Sequence, residues 1–117
     1  MRKPIIAGNW KLNKTINLAV NFVDELQSLV VDEDKVEIVV APVFTALSAV
    51  AVALRETRIG LSAQDLYWEE SGAFTGEVSA GLLRDAGCDY VIVGHSERRQ
   101  YFGENNEMVN NKVKAAL

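Results

Sequence analysis

Cysteine is almost missing from this chain: Cys88 stands alone among 117 residues, which excludes an intramolecular disulfide and gives no sign of an oxidising compartment. Long apolar runs are missing as well, since none approaches the ~18 residues that cross a bilayer. The N-terminus has neither an apolar stretch nor a small-residue cleavage site, so a cytoplasmic location is the expectation. Asn13-Lys14-Thr15 matches the N-glycosylation pattern, but that pattern has no meaning in a chain that stays in the cytoplasm. Positive charge is in deficit. A formal net charge of −4 argues against nucleic acid and against an anionic membrane as partners, while leaving room for small anions at a local site. There is no GxGxxG, no Walker lysine motif and no receiver-type acidic cluster near the N-terminus, and no Pro/Gly/Ser-rich linker or low-complexity segment interrupts the chain. A single domain over residues 1–117 is expected.

What is present is alternation. Ile5 to Gly8 reads as a short strand buried on both faces, and Thr15 can cap a helix in which Ala19, Phe22, Val23, Leu26 and Val30 recur at helical spacing. Val36 to Ala41 is a second strand ended by Pro42, with Thr45 as the expected cap of a second helix through Leu54. Ile59 to Ala63 is a third strand, and a short helix from Ser79 to Ala86 closes at Gly87. Tyr90 to Val93 is a fourth, followed by a last helix capped by Asn105 that carries Met108, Val109, Lys112, Val113, Ala116 and Leu117. Four strands alternating with helices imply an α/β protein with parallel strands and crossover helices.

One connection breaks the pattern of short loops. Gln64 to about Val78 exceeds the usual two to six residues of a βα loop. It contains Tyr67, Trp68 and Phe74, which disordered loops seldom carry, and Gly72 and Gly76, which allow tight turns. An ordered, protruding loop that needs a covering surface is expected. Aromatics folded back on their own domain are the alternative.

The polar groups that could do chemistry cluster at the ends of strands. Val91-Ile92-Val93-Gly94-His95-Ser96-Glu97-Arg98-Arg99 delivers the only histidine to the C-terminal end of the fourth strand, the edge where parallel α/β proteins place their sites. Ser96 and Glu97 begin a short helix, so free backbone N–H groups near His95 favour a neutral imidazole that donates to an oxygen. Lys11 leaves the first strand at the same edge, where an ammonium attracts phosphate or a developing oxyanion, and Asn9 points to the same side. Taken singly, these residues equally fit a solvated strand-end lysine and a structural histidine. Arg98 and Arg99 suit ion pairs at the strand exit or a phosphate contact.

Asn9-Trp10-Lys11, Gly72-Ala73-Phe74-Thr75-Gly76-Glu77 and the His95 stretch together resemble the N-terminal half of the triosephosphate isomerase family along essentially the whole chain. The resemblance implies half of a TIM (β/α)8 barrel, a (βα)4 unit, since the full barrel takes about 250 residues. It implies that His95, Lys11 and Asn9 form the electrophilic side of an enediolate mechanism interconverting dihydroxyacetone phosphate and glyceraldehyde 3-phosphate, with Glu97 in support through an ion pair with Lys11. It assigns no cofactor and no metal. The proton-abstracting glutamate, the lid loop and the phosphate cradle belong to the family's second half, so negligible isomerase activity is expected from these residues alone. Gln64 and the loop 65–77, with Phe74, Thr75, Gly76 and Glu77, match the family's subunit-interface loop, and Thr75 is its tip. Ala80 stands where the family usually has proline.

A half-barrel leaves two sheet edges and one sheet face open. Ala46 to Leu54 contains no charged residue and only Ser48 as a polar one, a surface suited to self-association, although an Ala-rich stripe is also tolerable in water. A homo-oligomer held by the open face and the loop 65–77 is expected. Two competing readings remain: a non-catalytic self-assembling half-barrel that binds phosphorylated metabolites weakly through Lys11 and His95, and an open flavodoxin-like domain.

Overall fold

The computed structural model describes residues 2–117. The first strand, β1 (Ile5–Asn9), leads to α1 (Ile16–Val30), whose N-terminus is capped by the Thr15 hydroxyl accepting the Leu18 N–H at 3.4 Å. Ala19 and Val23 on this helix are wholly buried. β2 (Glu37–Ala41) follows, then α2 (Leu47–Ala53) and β3 (Gly60–Ala63). After the long connection come α3 (Ala80–Ala86), β4 (Tyr90–Val91), α4 (Ser96–Phe102) and α5 (Asn106–Ala116). Asn105 caps α5 through its side chain, as its position before the apolar periodicity foretold, and Ser79, expected as the first residue of α3, is instead its side-chain cap.

Two expected boundaries need correction. Thr45 is not a cap: it lies inside a 3-10 turn, Phe44–Ala46, entered from extended Val43 without a side-chain cap. Pro42 holds the chain extended, and the turn then tightens with the Ala46 N–H bonded to the Val43 carbonyl at 3.0 Å. The fourth strand was expected to reach Val93. Its ladder covers Tyr90–Val91, and the Ile92 N–H extends the pairing once, to the Ala63 carbonyl at 2.9 Å.

The strands form one parallel sheet in the order β1-β2-β3-β4, with Asn9 beside Ala41, Val40 beside Leu61 and Ala63 beside Val91. Val40, Leu61, Ala63, Leu47, Val50 and Leu66 form the centre of the core. Elsewhere a strand side chain crosses the sheet: the Tyr90 ring lies over Gly60 and its hydroxyl donates to Glu37, so one residue of β4 bridges to β2. A Cβ on Gly60 would sit 2.8 Å from Tyr90 Cε2, so that crossing needs glycine below it.

The sheet is incompletely covered. Ile5 and Ile6 on the edge strand β1 are 53% and 60% exposed. Tyr101 and Phe102 at the end of α4 are exposed too. The accessible surface is 7945 Å² for 12.9 kDa, whereas a compact monomer of that mass exposes about 6,300 Å². Among the described residues, no helix is long and apolar enough to cross a membrane.

Gly87 ends α3 in the left-handed region at φ 109°, and a Cβ there would meet Ala51 Cβ at 2.6 Å. The Gly87→Ala substitution is therefore expected to cost about 2 kcal/mol or more, from backbone strain and the clash with α2 together. Urea denaturation of the two proteins measures it; an unchanged midpoint would contradict the close approach of α3 and α2.

Candidate active site

β1 and β4 are opposite edges of the sheet, which a flat arrangement would hold about 14 Å apart. Yet their C-terminal extensions meet: the Lys11 Nζ donates to Glu97 Oε2 at 3.0 Å. Side chains from the exits of the first and last strands thus meet on one rim. Asn9, Lys11, His95 and Glu97 all stand on that rim.

Lys11 is held from several sides. Its backbone adopts φ 56°, a conformation that costs a non-glycine residue of order 1 kcal/mol or more and persists only where neighbours enforce it. Asn9 Oδ1 accepts the Lys11 N–H at 3.0 Å. The Gln64 amide donates to the carbonyls of Lys11 at 2.9 Å and of Ala41 at 2.8 Å. Trp10, between them, ties its own N–H to Ala41 at 3.1 Å and packs edge-on against Phe22 of α1. Asn9 thus grips the Lys11 backbone.

His95 caps α4 with its own ring. Nδ1 accepts the Glu97 N–H at 3.0 Å, so Nδ1 presents a lone pair and the ring proton resides on Nε2. Glu97 Oε1 lies 3.6 Å from the same Nδ1. Nε2–H has no acceptor among the described residues. The side chain is 28% exposed.

Gln64 was expected at an interface, and within this chain both its contacts are spent on the Lys11 and Ala41 carbonyls. Residues 69–77 are continuously exposed, including Phe74, Thr75, Gly76 and Glu77. The loop is ordered by its own bonds, Phe74 N–H to Gly72 and Glu77 N–H to Phe74, both at 3.0 Å. Tyr67 stacks on Trp68 at 4.3 Å between centroids and meets Phe74 at 4.8 Å, so the aromatics partly cover one another while Phe74 still faces out. Arg99 donates to the Asn106 side chain at 2.9 Å rather than joining an ion pair.

A buried charge cluster behind the rim escaped the sequence reading. Lys112 donates to Asp65 Oδ1 and Glu104 Oε2, each at 2.8 Å. Arg98 Nε lies 3.2 Å from Asp65 Oδ2 and 2.9 Å from Glu104 Oε2. Lys112, Glu104 and Asp65 are only 3%, 4% and 7% exposed. The signal was a lysine on the apolar stripe of the last helix, which demands buried acidic partners. Burial alone pushes the Glu104 carboxyl up, but hydrogen bonds from Lys112 and Arg98, with their charges, outweigh it and hold that carboxyl below its ordinary 4.5. Cys88 offers no alternative nucleophile, because burial and then Asp89 push its thiol up to about 11. A groove of about 600 Å³, lined by Lys3, Val36, Glu37 and Arg58, lies at the opposite ends of the strands and has no part in this rim.

Residues 4–117 match the protein family described as triosephosphate isomerase. The triosephosphate isomerases of Pelobacter propionicus and Citrifermentans bemidjiense are 64% and 65% identical to this chain over all 117 residues, which is 47% of each of those proteins. The crystal structure of triosephosphate isomerase from Bartonella henselae superposes with a TM-score of 0.88 at 35% identity, covering 98% of this chain and 47% of that one. The chain spans about half the length of the relatives it matches, and its four strands and their helices correspond to half of a TIM barrel.

A carboxyl held low in the folded state contributes stability above its unfolded pKa and loses that contribution as pH falls through the folded value. Below about 4.5 the folded chain is therefore expected to weaken progressively as Glu104 takes up a proton. Thermal melts across the acid range should show a shallower pH slope for Glu104→Gln, alongside a lower plateau at neutral pH. Equal slopes for the two proteins would remove Glu104 from the account.

Proposed function

The chain belongs to the triosephosphate isomerase family, and from that premise we propose that its residues supply the oxygen-polarising side of the interconversion of dihydroxyacetone phosphate and glyceraldehyde 3-phosphate. The reading is supported above all by one arrangement: the His95 Nε2–H and the Lys11 ammonium stand on one rim, joined through Glu97. In this reading the rim receives the substrate carbonyl. His95 donates Nε2–H to the carbonyl oxygen, and as a carbon-bound proton leaves, charge accumulates on that oxygen and the hydrogen bond strengthens. A fixed donor of this kind is worth about 10² to 10³ in rate, because it meets charge that develops only in the transition state. Lys11 contributes a positive charge for the same oxygen and for the phosphate dianion, and Asn9 and Gln64 keep its backbone in place.

Proton abstraction from carbon needs a base across the rim. Glu97 is a poor choice, being committed to Lys11 at 3.0 Å and placed beside the electrophile. The family's glutamate from a sixth βα unit fits that role, so these 117 residues acting alone do not turn over substrate. The same premise makes the setting cytoplasmic glycolysis and gluconeogenesis, with the four βα units behaving as one domain.

Self-association is the second part of the reading, supported by the surplus of exposed surface and by Ile5, Ile6 and Phe74 at the surface. A second copy covering the open face removes apolar area from water at roughly 25 cal/mol per Å², and the loop 65–77 adds a contact. A non-catalytic self-assembling half-barrel that binds phosphorylated metabolites weakly is the version of this reading in which no base is ever supplied.

Coupled-enzyme assay of the purified chain should give no turnover above a protein-free blank. Mixing it with the separately expressed second half of a full-length relative should restore turnover, and Lys11→Met in the 117-residue partner should reduce that turnover by about 10²-fold or more. Substantial activity of the chain alone, or a mixture indifferent to Lys11, would overturn the assignment. Sedimentation equilibrium at micromolar concentration should report a dimer or larger species; a compact monomer would overturn self-association.

A further inference from the structure

The buried charge cluster and the rim form one circuit. Asp65 is bonded to Lys112 and paired with Arg98, and Glu104 is bonded to both of the same cations. Each carboxylate thus meets each cation, an alternating ring of four charges. Two members of that ring have sequence neighbours that grip Lys11. Gln64, beside Asp65, holds the Lys11 carbonyl at 2.9 Å, and Glu97, beside Arg98, holds the Lys11 ammonium at 3.0 Å. The Arg98 N–H also bonds the His95 carbonyl at 2.9 Å, within the turn whose first N–H groups fix the His95 ring.

We infer that Lys112 is a positioning residue: from α5, with no contact to the rim, it sets the spacing of the two arms that fix Lys11 and His95. This rests on the reading of the rim given under Proposed function. The physical argument is one of geometry rather than net stability. A buried ion pair rarely gains much free energy over an apolar replacement, but removal of one partner leaves like charges facing one another in a low-dielectric interior. Without the Lys112 ammonium, Asp65 and Glu104 share Arg98 alone. Arg98 is 31% exposed and can swing outward, taking the first turn of α4 with it. The Asp65 carboxylate, only 9% exposed, must find water or a proton, and either outcome shifts the backbone at Gln64. The strained Lys11 backbone at φ 56° has no other clamp on its carbonyl, and the His95 ring loses the alignment of its capping bond.

A merely structural lysine would lower stability and leave the rim unaltered, and His95 separates the two cases. It is the only histidine in the chain, so nitrogen-15 NMR of the imidazole reads one residue without ambiguity. At mildly alkaline pH the native chain should show a single tautomer with the proton on Nε2. Lys112→Met should give a mixture of tautomers in the folded fraction, and Lys112→Arg should restore the native signature. Gly87→Ala serves as the control that lowers stability from a distant helix end; its folded fraction should keep the native signature. If Lys112→Met does not fold, Arg98→Lys is read the same way, since it keeps the charge and loses the Nε geometry. A native His95 signature in the folded variant overturns the inference.

The NMR reading needs no substrate, which separates this test from that of the function. In the reconstituted mixture, kcat should fall on the order of 10²-fold in Lys112→Met with KM little changed, the consequence of a displacement near 1 Å in a positioned group. An inactive native mixture combined with a shifted His95 signature would sink the isomerase reading and leave the positioning role intact. The reverse pattern, an active mixture whose His95 signature and kcat ignore Lys112, sinks the inference alone.

Discussion

Everything at the rim depends on the pairing of Asp65, Arg98, Glu104 and Lys112 in an interior poor in water. These four residues come from the exit of β3, from α4, from the loop after it and from α5, so their alternating contacts tie the exit of β3 to the last two helices and the loop between them. Such a cluster contributes little to net stability, because desolvation of each charge offsets most of the attraction. What it does contribute is definition. Charges in a low-dielectric setting tolerate few alternative arrangements, and the segments that carry them inherit that intolerance. Glu104 Oε1 is the exception, buried without a partner, and marks where the cluster has capacity for one more hydrogen-bond donor.

The curl of the sheet is the second constraint. Parallel strands ordered as in the chain place all four C-terminal ends on one side. The half-barrel curvature draws the first toward the fourth, and the Lys11–Glu97 contact links their exits. The helices cover one face of this curved sheet and leave β1 with little cover. In the longer relatives the same stretch occupies 47% of the chain, and the exposed isoleucines of β1 belong to the surface that such a chain has more residues to bury.

Much of this was legible from residue order. The strands announced themselves as short runs of apolar and small residues, though β1, read as buried on both faces, leaves Ile5 and Ile6 exposed; Thr15 and Asn105 cap helices because a short polar side chain precedes an apolar periodicity in each case. Thr45 misled because the same local signal follows Pro42, and the extended backbone there delivers a 3-10 turn first. The fourth strand looked longer than its ladder because Ile92 and Val93 are as apolar as true strand residues. The rim residues were legible as motifs, but their partners were not. Asp65 and Lys112 are 47 residues apart, and no local pattern links a loop aspartate to a lysine on a distant helix. Gln64 likewise takes its meaning from two carbonyls that only the folded sheet brings within reach.

A flexible lysine ordinarily surrenders up to about 2 kcal/mol of rotamer freedom when it is fixed against a bound group. Lys11 has already surrendered part of that freedom, because Glu97 holds its ammonium and Asn9 and Gln64 hold its backbone. The entropy of ordering the cation is therefore charged in part to folding. In the proposed role, an oxyanion meets a charge whose direction is largely set, and association waits less on a side-chain search.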